Sequence, residues 1–172
     1  MTPQNVILAE ELSECDGPIS FCLNHFGKRI VGCSSQATYN LFSVLKLLPP
    51  RDERMDFMMT VQAGIKESLG SVQSANTENV IKFLSGFQDI VDRADGGDFT
   101  KDISAKEVLL KLRSQVAILI SAGVAAAKDQ GHMGCLFIEN GMVYLDGTEL
   151  TPDLFCAYLY SSKQNCLWWF RR

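Results

Sequence analysis

The sequence predicts an α+β fold, with a helical first half followed by a small antiparallel sheet. Three observations carry that expectation. Between residues 33 and 94, apolar positions recur at helical spacing in three successive segments. Two later apolar runs meet at Asn140-Gly141, the strongest short-range signal for a β-hairpin. A final apolar run, Cys166 to Phe170, reads as a closing strand.

The elements follow in order. Residues 1 to 32 look irregular, with short extended pieces at Val6-Ile7-Leu8, Ile19 to Leu23 and Arg29-Ile30-Val31, and a turn at Asp16-Gly17-Pro18. A helix begins near Cys33. Cys33, Ala37, Leu41, Val44, Leu45 and Leu48 fall on one face, and Pro49-Pro50 stops it. A second helix fits Arg54 to Leu69, before Gly70. A third fits Thr77 to Ala94, striped by Val80, Phe83, Leu84, Phe87, Ile90 and Val91. Asp95 to Asp98 then reads as a loop. Ser104 and Glu107 form a capping box, opening a helix that runs to about Lys128. From Val116 this stretch is apolar nearly all round, which predicts a buried central helix. After the hairpin, Thr151-Pro152-Asp153 caps a short helix to about Tyr160. No repeat, low-complexity tract or boundary divides the chain, so residues 1 to 172 read as a single domain.

Composition agrees with one globular unit. The 172 residues are 47% hydrophobic and 21% charged, enough to bury a core without metal or disulfide staples. The net charge is −4, with Arg171-Arg172 the only basic cluster, which argues against nucleic acid as a partner. The start carries no signal-peptide pattern, and the longest apolar run, Val116 to Ala127, is too short to span a bilayer. The expectation is a cytoplasmic protein without a membrane segment. Its six cysteines are then free thiols, mostly packed as small hydrophobes.

Three residues stand out as chemistry. Cys33 follows Gly32 at a helix start, where exposed amides and the helix dipole favour a thiolate, the nucleophilic form. Gly32 lets the backbone approach closely, leaving amides free to face a developing oxyanion. His132 opens the first hairpin strand and Asp146 closes the second, a base and an orienter of the kind a cysteine hydrolase needs. Alone, each has a structural reading: a packed core thiol, a satisfied strand-end histidine, a turn aspartate before Gly147. Together they favour catalysis.

The arrangement resembles the papain-like cysteine peptidases, in the order Cys33, long helical insert, His132, hairpin, Asp146. Within that superfamily three stretches are similar to the deubiquitinating domain of herpesvirus large tegument proteins. These are Ser20-Phe-Cys-Leu-Asn24 upstream of Phe26 to Cys33, Glu139 to Asp146, and Cys166 to Phe170. The resemblance implies a papain-like fold whose first lobe is headed by the Cys33 helix. It also implies a cysteine peptidase or isopeptidase, with ubiquitin or a ubiquitin-like protein as substrate, without a cofactor or metal. Asn24 takes the place of the side chain that papain-like enzymes add to the oxyanion hole. A viral origin would place the chain in host cytoplasm or nucleus. The chain departs from the tegument pattern twice. Thr148 stands where that family has its histidine, and Gly32 where it has a glutamine, so His132 must act as base or the site is dead. The alternative is a non-catalytic interaction module or inactive relative of this fold.

The hairpin register decides between these. A two-residue loop at Asn140-Gly141 sets Cys135 opposite Asp146 and His132 on the other face. A three-residue loop with Gly141 as a bulge brings His132 and Asp146 to one face. The triad requires the second register, or a first strand that starts later and leaves His132 on a free loop. Two metal readings are weaker: Cys15, Cys22, His25 and Cys33 match no common zinc spacing, and Asp95, Asp98 and Asp102 are not an EF-hand loop.

Overall fold

The protein is seen in a computed structural model that describes residues 17, 33–68, 82–100, 110, 112, 117–124, 131–145, 148–149 and 162–171. The coarse α+β expectation holds among the described residues: three helices precede the sheet, Leu110 and Leu112 are helical between its first two strands, and its described pairings are all antiparallel.

Helix α1 spans Cys33–Val44, starting where the sequence predicts. It ends before the prolines, in a Schellman motif. Lys46 takes a left-handed φ of 61°, Leu47 N–H donates to the Phe42 carbonyl (2.8 Å), and Lys46 N–H donates to that of Ser43 (3.0 Å). Leu47 and Phe42 both join the core there, the apolar contact that accompanies the motif. A 3-10 turn at Arg51–Glu53 then leads into α2, Arg54–Ser68, close to the expected bounds. Arg54 is buried, and its Nε donates to the Pro49 carbonyl at 2.9 Å, tying the helix start to the preceding loop. Helix α2 packs on α1.

The third helix does not run through. Residues 82–84 are helical, the chain turns at Ser85-Gly86, and a short helix α3 follows at Gln88–Val91. Gly86 N–H and Phe87 N–H donate to the Phe83 and Leu84 carbonyls, three residues back, and Ser85 Oγ donates to Lys82 O at 2.7 Å. A serine competing for backbone acceptors beside a glycine is a local reason for the break. The part of this helix before Lys82 lies outside the described residues, as do the capping box, the helix after Thr151, and the N-terminal pieces.

Two further expectations are overturned. Asp95 to Asp98 is not a loop but part of strand β1, Ala94–Thr100, with a register shift between Ala94 and Gly97. Ala117 to Val124 is not a helix but strand β2. A short, nearly continuous apolar run has no periodicity to distinguish strand from helix. Here neighbours on both sides supply the ladder.

The remaining strands are β3 (Gly131–Glu139), β4 (Met142–Leu145), β5 (Thr148–Glu149) and β6 (Ser162–Phe170). With β1 and β2 they form, among the described residues, one six-stranded sheet in the order β1-β6-β2-β3-β4-β5. The predicted final strand is present, longer than expected, and lies between β1 and β2.

The predicted hairpin is β3-β4. Asn140 (φ 53°) and Gly141 (φ 79°) both lie in the left-handed region, as a type I′ turn demands. Glu139 pairs with Met142 and Leu136 with Leu145, so the loop holds two residues.

Helix α1 packs on β3 and β2. The core between the layers joins Ala37, Leu41, Phe42 and Leu45 with Val61, Phe83, Leu84, Ile90, Cys135, Phe137 and Phe170. Phe42 centres an aromatic cluster, edge-on to Phe57 at 4.9 Å and to Phe87 at 5.2 Å between ring centroids. Phe137 and its cross-strand partner Tyr144 stack at 5.6 Å.

Candidate functional site

The site expected from the sequence begins at Cys33, which is the first residue of α1. A helix start leaves amide donors without intrahelical partners, so this is the position at which a thiolate gains most from the backbone. From Ser35 to Leu41 the helix is buried on every side. Ser35, Gln36, Ala37, Thr38, Tyr39, Asn40 and Leu41 are each 4% exposed or less. A helix that buries consecutive residues has no solvent face, and the periodic stripe read from the sequence captures only part of what it packs against. Gln36, Thr38, Tyr39 and Asn40 are all engaged by neighbours, as buried polar groups must be.

His132 is the second residue of β3 and pairs with Ala122 on β2. It does not lie on a free loop. The β2-β3 ladder is continuous from Gly131 opposite Gly123 to Phe137 opposite Ala117. Successive positions of a strand alternate between faces, so positions 132 and 135, three apart, belong to opposite faces. Cys135 and Phe137 belong to the core that α1 covers. The ladder therefore assigns position 132 to the face with Gly134 and Leu136. Both of those are buried too, so β3 is covered on its two faces.

The hairpin gives the same parity. Its loop is the two-residue form, and the three-residue bulge that would share a face between His132 and Asp146 is not formed. Asp146 lies outside the described residues, where the β3-β4 ladder stops at Leu145, and so does Asn24. Of the four residues singled out, the structure places Cys33 at a helix start and His132 in a ladder.

The metal readings gain nothing. Cys15, Cys22 and His25 lie outside the described residues, and Asp95 and Asp98 sit within a strand. Among the described residues, no group of three or more His, Cys, Asp or Glu side chains is placed to hold a metal ion. None of their helices is long and apolar enough to cross a membrane.

One polar constellation was not foreseen. Asp89, Asp92, Arg93 and Arg171 line a surface cleft where α3, the turn into β1 and the end of β6 meet. In the sequence Arg171 lies 78 positions and more from the other three, and the β1-β6 pairing brings them together. The chain matches no family model, no curated protein and no solved structure.

Proposed function

We propose that this chain is a non-catalytic, protein-binding α+β domain with the helix-on-sheet layout of a cysteine hydrolase. The observation that supports this reading is the continuous β2-β3 ladder, which turns position 132 to the face opposite the α1 core. A cysteine-imidazole pair works only within hydrogen-bond reach, and a regular strand gives no means of bringing position 132 round to the helix side. The chain's partner in this reading is another protein, approached without nucleic acid or membrane.

A second reading is favoured by Cys33 itself, the opening residue of a helix that is buried from Ser35 to Leu41. In that reading the chain is a papain-like peptidase or isopeptidase acting on ubiquitin or a ubiquitin-like protein in the cytoplasm, or in host cytoplasm or nucleus. The Cys33 thiolate would attack the scissile carbonyl carbon, while His132, oriented by Asp146, passes its proton to the leaving amine. Water would then hydrolyse the acyl-thioester, with the Cys33 amide and Asn24 holding the oxyanion.

The deciding experiment exposes the wild type, Cys33→Ala and His132→Ala to ubiquitin bearing a C-terminal electrophile, and to a generic thiol warhead, at neutral pH. The non-catalytic reading expects no Cys33-dependent ubiquitin adduct. A ubiquitin adduct that disappears in Cys33→Ala overturns it, and its further loss in His132→Ala would identify the base.

A further inference from the structure

The Asp89-Asp92-Arg93-Arg171 cleft stands apart from the Cys33 question. Helix α3 ends at Val91, and the chain turns through Asp92 and Arg93 into β1, whose Ala94 pairs with Phe170 of β6. Arg93 and Arg171 therefore flank one cross-strand pair. Their backbones are tied: Arg171 N–H donates to the Arg93 carbonyl at 3.0 Å, and Arg93 N–H donates to that of Ile90 at 3.1 Å. Arg171 also reaches across with Nη2, donating to the Asp92 carbonyl at 2.7 Å. Beneath them Phe170 is fully buried, so the seam rests on core packing.

We infer that Arg93 and Arg171 form a seat for a single carboxylate at the end of the β1-β6 ladder. The cleft they line with Asp89 and Asp92 holds about 260 Å³, room for a small acidic group. Arg93, one of the residues that line it, has its Nε buried and without a hydrogen-bond partner. A desolvated donor left unpaired is costly, and an Arg93 side chain that swings to meet an acceptor in the cleft sheds that cost. Guanidinium groups present planar forks that match a carboxylate's two oxygens, and two of them share this opening. The flanking aspartates set the charge of the ligand. Both are exposed at the rim, and their repulsion penalises a phosphate dianion more than a carboxylate monoanion. The carboxylate can come from an acidic side chain or chain end of a partner protein, or from a free small acid.

The test uses the full chain, with its arginine Nε–H resonances followed by NMR during titration with acetate, an acidic peptide and inorganic phosphate. Acetate is expected to shift the Arg93 Nε–H saturably. Arg171→Gln, an exposed substitution whose fold is checked by its melting curve, is expected to weaken acetate about tenfold, the worth of one charge-assisted contact. Phosphate is expected to bind more weakly than acetate, and to gain in the Asp89→Asn/Asp92→Asn variant. Tighter binding of the acidic peptide than of acetate assigns the seat to a partner protein, and equal binding to a free acid. An Arg93 resonance that ignores acetate, or a folded Arg171→Gln chain that binds acetate as well as the wild type, overturns the proposal.

Discussion

Lys46 ends α1 in a left-handed conformation that costs an L-residue free energy and costs glycine little. Its side chain is exposed and makes no demand on the core. Lys46→Gly is therefore expected to stabilise the fold by about 0.5–1 kcal/mol, seen as a rise of about 1–4 °C in thermal melting. An unchanged or lower melting temperature would show that the strain is relieved some other way. Gly141 makes the opposite case. At φ 79° in the hairpin turn, Gly141→Val is expected to destabilise by about 1–2 kcal/mol, read from denaturant midpoints. For the candidate site, the residue types and the helix start at Cys33 were legible in the sequence. The face that His132 occupies was not. It depends on whether the hairpin loop holds two residues or three, and both registers leave acceptable apolar patterns.

Among the elements, the contact of α2 with the segment at 82–84 turns on Gly64. A Cβ added there would lie 3.1 Å from two ring carbons of Phe83. That ring is buried and packs edge-on to Phe87 at 5.5 Å, so it has little freedom to retreat. Gly64→Val is expected to cost about 1–3 kcal/mol by overpacking, despite valine's better helix propensity. Denaturation showing no loss would mean that the aromatic cluster can repack. The elements with clear local signals were readable: α1, α2 and the Asn140-Gly141 hairpin each carry a period, a stop or a turn of their own. Strand β2 carries none. Ala117 to Val124 is apolar without alternation, and its identity follows from β3 on one side and β6 on the other. Strand β1 hides in the same way, since Asp95-Gly96-Gly97-Asp98 is turn chemistry until β6 offers it a ladder.

Among the described residues, strand β6 joins β1 to the rest of the sheet. Phe170 pairs with Ala94 of β1 and with Ala117 of β2, and it is fully buried in the core shared with α1. Phe170→Ala is expected to cost about 3–5 kcal/mol, a large part of the stability of a single domain. Calorimetry should show one cooperative transition at a lower temperature. A loss confined to β6, with the helices melting as before, would contradict that integration. Local patterning was enough to establish the α+β class, the helix headed by Cys33 and the two-stranded hairpin, because each needs only neighbours in the chain. Long-range pairing decided the rest. Six strands in the order β1-β6-β2-β3-β4-β5, the face on which position 132 falls, and the meeting of Arg93 with Arg171 all follow from which backbones pair. Pairing over such distances is chosen by packing on both faces of the sheet, and one strand's sequence carries only its own share of that choice.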